Sequence, residues 1–249
     1  GSGYLACGYV AKGRMEEPMQ ILSVINKFFT QQENVVKSSF SGKHALVTAG
    51  PTVEVIDPVR YVSNRSSGKM GYAIAEALRD KGAIVTLISG PTHLSLPEGI
   101  NVVKVESAED MFQAVTERFA KQDIVIKAAA VSDYTPMDIL EHKLKKQEGG
   151  LSVQFKRTKD ILKYLGENKT HQYLVGFAAE TQNIEQYALD KLKRKNADVI
   201  ISNNVGDTSI GFSSDDNELT MHFKNNEKVN IKKGNNIIKF KIDTFRRNI

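Results

Sequence analysis

Short apolar runs recur along this chain, with amphipathic stretches of helical period between them. That alternation restricts the fold more than any other feature. Ala45-Leu46-Val47-Thr48-Ala49, Ala83 to Ser89, Asn101 to Val105, Asp123 to Ala130, Tyr173 to Ala179 and Asp198 to Ser202 read as strands. Lys69 to Lys81, Ala108 to Ala120 and about Ile184 to Asn196 read as helices, the first with Met70, Ile74, Ala77 and Leu78 on one face. Strands alternating with helices imply right-handed crossovers and a parallel sheet covered on both faces. Near-continuous apolar runs such as Ile124-Val125-Ile126 and Val199-Ile200-Ile201 agree with strands buried on both sides.

The pattern changes near the end. Leu219 to Lys224 and Lys228 to Lys232 alternate around Asn225-Asn226-Glu227, which predicts a hairpin. The expected fold is therefore α/β, a Rossmann-like three-layer sandwich with a mostly parallel sheet and an added C-terminal β-hairpin. At the other end, residues 1 to 18 are glycine-rich with little hydrophobic period. Pro18 to Phe29 reads as a short amphipathic helix through Ile21, Leu22, Ile25, Phe28 and Phe29, and Gln31 to Ser41 as a polar linker. The expected division is a tail and linker over 1–42 and one main domain over 43–249.

Composition narrows the function classes. Of 249 residues, 41% are hydrophobic and 25% charged, as in a soluble globular protein. No apolar run approaches membrane-spanning length and the first residues do not form a signal peptide, so the expected compartment is the cytoplasm. The single cysteine, Cys7, excludes an intrachain disulfide framework. A net charge of +5 and a pI near 9.1 favour anionic ligands. The lysines are spread over several elements instead of forming an aromatic-interleaved stripe, so small phosphorylated ligands fit better than nucleic acid.

The stretch Val62-Ser63-Asn64-Arg65-Ser66-Ser67-Gly68-Lys69-Met70-Gly71 delivers hydroxyls, an amide and a glycine to the start of the first helix. A helix start with unpaired N–H groups suits a phosphate or a developing oxyanion. An ordinary Ser-capped loop is the equally weighted alternative. Two common nucleotide motifs do not apply. A P-loop needs Gly and then Ser or Thr where this chain has Ser63 and Met70, and the dinucleotide fingerprint needs three glycines where Gly50 stands alone.

In an open parallel sheet, ligands sit beyond the carboxyl ends of the strands. Lys127 to Tyr134, Gly176 to Thr181 and Ser202-Asn203-Asn204 lie at such ends. The alanines would admit a flat base or simply pack tightly; Asp133 would accept from ribose hydroxyls. Lys143-Leu144-Lys145-Lys146, followed by Gly149-Gly150, reads as a solvated charge run or a mobile lysine flap. Lys191 and Lys195 share one helix face, towards a triphosphate or towards water. The five histidines make no metal spacing with one another or with Cys7, and no metal ligand can be named.

Together these stretches resemble the phosphopantothenate–cysteine ligase family. The resemblance is carried by Thr48 to Thr52, Asp57-Pro58-Val59-Arg60-Tyr61, Ser63 through Gly71, Ala128 through Tyr134, Lys143 to Gln147, Gly176 through Thr181 and Gly211 to Asn217, and runs from about residue 43 to the end. It implies the bacterial step of coenzyme A synthesis in which CTP activates 4′-phosphopantothenate and L-cysteine then forms the amide. By resemblance, CTP would take Lys127, Ala128, Ala129, Asp133, Lys143, Phe177, Lys191 and Lys195, with Lys159, Asp160, Ile161 and Leu162. The family usually has proline where this chain has Lys159. Asn64 would bind the acyl-cytidylate carbonyl; Ser66, Ser67, Gly68, Lys69 and Met70 would help hold phosphopantothenate; Asn64 and Lys143 would be catalytic. Mg2+ bridging phosphates and a homodimer are implied as well, with the late hairpin and the loop at Arg60 as its surfaces.

Gly3 to Gly8 and Gly13 to Pro18 resemble instead the tail of phosphopantothenoylcysteine decarboxylase, the FMN domain that precedes the ligase in bifunctional members. Cys7 matches the cysteine that protonates the intermediate there. The flavin-binding body is absent from this stretch, so the expectation is a piece of a bifunctional protein without decarboxylase activity. The rival reading is a nucleotide-dependent dehydrogenase or reductase of Rossmann-like fold, which should carry a glycine-rich first turn and a Tyr-x-x-x-Lys pair.

Overall fold

The computed structural model describes residues 2–4, 10–12, 19–23, 40–146, 149–180, 182–204 and 217–234. Ser2–Tyr4 (β1) and Val10–Lys12 (β2) pair antiparallel, within a stretch whose sequence gave no strand signal. Residues 19–23 are helical; the rest of the helix expected from Pro18 to Phe29 lies outside the described residues.

Side chains along the central strands alternate between two faces, and both faces are buried. His44–Ala49 (β3) sends Ala45, Val47 and Ala49 into one core and Leu46 into the other. Ile124–Lys127 sends Ile124 and Ile126 one way and Val125 the other. On the first face, helix α1 (Lys69–Asp80) lays down Tyr72, Ile74, Ala75, Ala77 and Leu78. On the second lie α2 (Ala108–Phe119), α3 (Ile161–Asn168) and α4 (Ile184–Arg194), through residues such as Met111, Val115, Leu165, Ala188 and Leu192. Three layers result, as expected from the sequence.

The remaining strands are β4 (Val53–Val55), β5 (Tyr61–Ser63), β6 (Ile84–Ser89), β7 (Asn101–Lys104), β8 (Ile124–Lys127), β9 (Tyr134–Pro136), β10 (Phe155–Arg157), β11 (Tyr173–Glu180), β12 (Val199–Asn204), β13 (Asn217–Phe223) and β14 (Lys228–Gly234). The main sheet has eight strands in the order β14-β13-β12-β11-β8-β3-β6-β7. The pairs from β12 to β7 are parallel, and β13 and β14 join antiparallel as the expected hairpin. From β3 the chain winds out through β6 to β7 and then returns to β8 on the opposite side of β3. A crevice is expected where the winding reverses, beyond the carboxyl ends of β3 and β8.

Two differences from the expected elements bear on that crevice. The strand foreseen over Asp123 to Ala130 ends at Lys127; beyond it the chain stays tied to the end of β3 and the loop that follows, with an isolated parallel bridge between Ala130 and Pro51. The Ala129 N–H donates to Thr48 Oγ1 at 3.1 Å, the Ala130 N–H to the Gly50 carbonyl at 2.9 Å and the Ser132 N–H to Thr52 Oγ1 at 3.0 Å. Helix α3 was not foreseen. Asp160 caps it by accepting from the Lys163 N–H at 2.9 Å, and Ile161, Leu162 and Leu165 are buried.

Candidate active site

A cleft of about 980 Å³ opens beyond the carboxyl ends of these strands. One wall is the start of α1, the opposite wall is α4, and the segments after β8 and before α3 run between them. Its lining includes Ser66, Ser67, Gly68, Lys69 and Met70, then Lys127, Ala128, Ala129 and Asp133, then Lys159, Asp160, Ile161 and Leu162, and finally Phe177, Lys191 and Lys195. These residues come from five separate stretches of the sequence, and the fold brings them to one place.

The α1 wall is set by backbone geometry. Gly68 stands at the N-cap with φ 79°, so the cap residue is not a serine, although Ser67 just before it accepts from the Lys69 N–H at 3.5 Å. A Cβ on Gly68 would lie 2.7 Å from Thr92 Cγ2, and one on Gly71 would lie 2.5 Å from Ala49 Cβ. The first turn is therefore pressed against the end of β3, with its N-terminus at the cleft. A helix N-terminus in that position favours an anion.

The opposite wall is cationic and ordered. Lys191 donates from Nζ to the Phe177 carbonyl at 2.8 Å. Lys195, its side chain only 13% exposed, donates to Asp160 Oδ2. Lys127, at the end of β8, is half-buried and lines the same cleft. Burial first, and then repulsion from Lys191, push its ammonium down to about 8, against the attraction of Asp160 and Asp133. Burial pushes Asp160 up, yet the hydrogen bond from Lys195 and the Lys163 N–H hold its carboxyl below the usual carboxylate range. Positive charge concentrated in a cleft with depressed lysine basicity is suited to a polyanion.

Several foreseen residues sit differently. Asn64 flanks the cleft without lining it, and its Nδ2 donates to the Ala130 carbonyl at 3.0 Å. Lys143 is exposed and is not part of the wall. For the segment around it the sequence left a solvated charge run and a mobile flap open; its Leu144 is tied at both backbone groups to the turn at Asp57 and Arg60. Lys159 lines the cleft but turns its ammonium to Glu109 at 2.6 Å, 4.7 Å from the centre of the Phe112 ring. Cys7 and the stretch from Gly211 to Asp216 lie outside the described residues.

Tyr187, Asp190, Lys193, Arg194 and Thr158 also line the cleft and are not among the residues expected there. Lys191 and Lys195 already indicated which helix was involved, and extending that face by a turn would have reached Tyr187. Among the described residues, no group of three or more His, Cys, Asp or Glu side chains could hold a metal ion. Among them, too, no helix is long and apolar enough to cross a membrane.

Comparison with known proteins gives the arrangement a family. The coenzyme A biosynthesis bifunctional protein CoaBC of Bacillus subtilis (strain 168) is 52% identical over 227 residues, covering 91% of this chain and 55% of that protein. The protein of the same name from Haemophilus influenzae is 46% identical over 228 residues, covering 91% of this chain and 56% of that protein. The chain thus spans about half the length of these relatives. A crystal structure of the C-terminal domain of coenzyme A biosynthesis bifunctional protein CoaBC superposes with a TM-score of 0.72 at 43% identity, covering 84% of this chain and 97% of that one. The family model described as DNA/pantothenate metabolism flavoprotein C-terminal domain matches residues 40–238, and the chain belongs to that family.

Proposed function

We propose that this chain joins 4′-phosphopantothenate to L-cysteine, converting CTP to CMP and pyrophosphate through an acyl-cytidylate. The observation that carries the reading is one cleft with two anion-seeking walls: Ser66 to Met70 at the start of α1, and Lys127, Lys191 and Lys195 opposite. A ligase acting on a phosphorylated acid and a nucleoside triphosphate needs both. The names of the relatives point to the same pathway.

The chemistry explains why the walls face each other. A carboxylate resists amine attack because its leaving group would be oxide. Its oxygen instead attacks the α-phosphorus of CTP, and the bond to pyrophosphate breaks. The cysteine amine then attacks the acyl carbon, CMP leaves with the electron pair, and the amine loses its proton. Negative charge grows on the triphosphate in the first step, beside the three lysines. It grows on the acyl oxygen in the second, where the neutral amide of Asn64 serves as donor. Lys143 enters the first step from its tethered segment.

CTP as the nucleotide rests on the resemblance; Ala128 to Val131 line the cleft, held to the end of β3 and its following loop through Thr48 and Gly50. With no cluster of metal ligands among the described residues, Mg2+ would be carried chiefly by the triphosphate oxygens. The ligase unit is assigned to 43–249, with 1–42 as the end of a preceding decarboxylase, the FMN part lying outside this stretch. No nucleic acid or membrane partner is proposed, and the cytoplasm is the assigned compartment.

A homodimer is part of this reading. The apolar residues of the late hairpin, Leu219, Met221, Phe223 and Ile231, are buried in the sheet. Exposed apolar residues lie on β5 and β9 and in the connection between β9 and β10: Tyr61 at 62% exposure, Tyr134 at 50%, Ile139 at 66% and Leu151 at 62%. An apolar patch of this kind fits a second copy of the chain.

The deciding experiment is pyrophosphate release from CTP with and without phosphopantothenate, followed by amide formation on adding cysteine. Release that needs phosphopantothenate is expected. Hydrolysis of CTP indifferent to it, or hydride transfer from a nicotinamide cofactor, would overturn the reading.

A further inference from the structure

The carboxylate of Asp57 is 1% exposed and accepts from five donors. Oδ1 takes the Val59 and Arg60 N–H groups, each at 2.9 Å. Oδ2 takes Arg60 Nε at 2.8 Å, Arg60 Nη2 at 2.6 Å and the Leu144 N–H at 3.2 Å. Burial pushes this carboxyl up, but the Arg60 guanidinium and the three backbone amides hold it well below the usual carboxylate range. It is an anion throughout the physiological range.

Four of these bonds are local and shape the turn after β4. The fifth crosses 87 residues to the segment that carries Lys143. Arg60 completes the tie by donating from Nη2 to the Leu144 carbonyl at 2.8 Å, so that both backbone groups of Leu144 are held by one ion pair. A further bond runs from the Leu140 N–H to the Ile56 carbonyl at 3.0 Å. Lys143 and Lys145 flank the pinned residue and are both exposed, while Leu144 itself is half-buried. The same turn leads through β5 directly into Asn64 and the loop that lines the cleft.

We propose that Asp57 is a positioning residue for Lys143. Its buried carboxylate fixes the backbone at Leu144 against the turn that feeds the substrate loop, and so sets how far the Lys143 ammonium can reach towards the cleft. Asp57 itself touches no reacting atom. The role rests on the ligase reading for Lys143, whereas the tether can be tested without it. A charged acceptor is required: a neutral amide at the same place would offer Arg60 and Leu144 a single weaker acceptor and a clashing donor.

Two measurements on Asp57→Asn test the proposal. Trypsin cleavage after Lys143, Lys145 and Lys146, followed by mass spectrometry, reads the tether; at least fivefold faster cleavage is expected, with far-UV circular dichroism unchanged. Single-turnover pyrophosphate release at saturating CTP reads the positioning; at least a tenfold loss is expected in the rate, with the KM for CTP within threefold. On a Lys143→Gln background, Asp57→Asn should add less than twofold, because a residue acting through Lys143 has nothing left to position. A purely structural defect would instead multiply the two losses.

A second pair of variants covers the case in which Asp57→Asn does not fold. Leu144→Pro removes the N–H that reaches Asp57 and should reproduce both effects, with cleavage read after Lys145 and Lys146 because trypsin does not cut a Lys–Pro bond, whereas Leu144→Ala keeps that N–H and should stay within threefold of wild type. Unchanged tryptic cleavage in both Asp57→Asn and Leu144→Pro overturns the tether. Faster cleavage with a normal rate, or full multiplicativity with Lys143→Gln, overturns the positioning role. A wild-type chain that releases no phosphopantothenate-dependent pyrophosphate overturns the ligase reading before any variant is made.

Discussion

Lys195 donates its ammonium to one oxygen of the Asp160 carboxylate while the other oxygen caps helix α3. One acidic side chain thereby joins the loop before α3 to the last turn of α4. Asp160→Asn keeps a capable N-cap and discards the charge, whereas Asp160→Ala discards both. Alanine at an N-cap typically costs about 1 kcal/mol. The half-exposed ion pair adds little to stability on its own, with the Asp160 side chain 48% exposed. Urea unfolding should place Asp160→Ala about 1 kcal/mol below Asp160→Asn. Equal midpoints for the two variants would remove the capping role.

Lys127 gives the cleft a pH dependence of known sign. Its ammonium is pushed down to about 8 from an ordinary value of 10.5. A triphosphate favours the charged form, so CTP binding above pH 8 should take up a proton and weaken with rising pH. Calorimetry in two buffers of different ionisation enthalpy measures the uptake, which Lys127→Met should abolish. Stability runs the other way. Between about 8 and 10.5 the unfolded chain binds more protons at this residue, so its contribution to stability rises with pH across that window. Below it Lys127 is charged in both states and the burial penalty is complete.

Asn64→Asp should keep CTP binding and damage turnover. The variant loses the donor to Ala130 and, on the proposed mechanism, sets an anion beside a growing oxyanion. Loss of an oxyanion donor raises barriers by roughly 3–4 kcal/mol, or about 10²–10³ in rate. Product formation with cysteine within about threefold of wild type would return Asn64 to a purely structural role.

Gly71→Ala tests the pressed start of α1. Its Cβ would lie 2.5 Å from Ala49 Cβ and 3.0 Å from the Thr48 carbonyl oxygen. Overpacking of this kind destabilises by about 1–3 kcal/mol. Chemical denaturation should show that loss, together with weaker binding of the phosphorylated acid. An unchanged midpoint would mean that the helix can shift without strain.

Tyr61→Asp and Ile139→Asp place charge on the exposed apolar arms. Each should turn a dimer into a monomer at micromolar concentration by sedimentation velocity, with the circular dichroism spectrum unchanged. A wild-type chain that is already monomeric there would dismiss the dimer.

The sheet was legible because its strands are buried on both faces and therefore read as unbroken apolar runs. The arms β4, β5, β9 and β10 were not, since three residues are too few for alternation to register. Helix α3 escaped notice because it is eight residues long and carries Gly166 in its body. That glycine is needed for contact: a Cβ there would lie 1.8 Å from the Lys195 carbonyl oxygen. In the cleft, strand-end lysines and the Ser66 to Met70 loop were found from position and resemblance. Asp57 appeared only as part of a motif. Its partner Leu144 is remote in the sequence, and no local pattern signals a bond over such a distance.

The reversal of winding between β3 and β8 has a mechanical consequence. One cleft wall belongs to the half of the sheet laid down before the turnabout, and the other to the half laid down after it. A ligand gripping both walls acts as a rivet across that seam, and it can be seated only when both halves are folded and joined. Such binding stabilises the whole by mass action, about 2.7 kcal/mol at a hundred times the dissociation constant. Neither half alone possesses the grip, so ligand-induced protection from unfolding should spread to the edge strands β7 and β14, which touch nothing in the cleft.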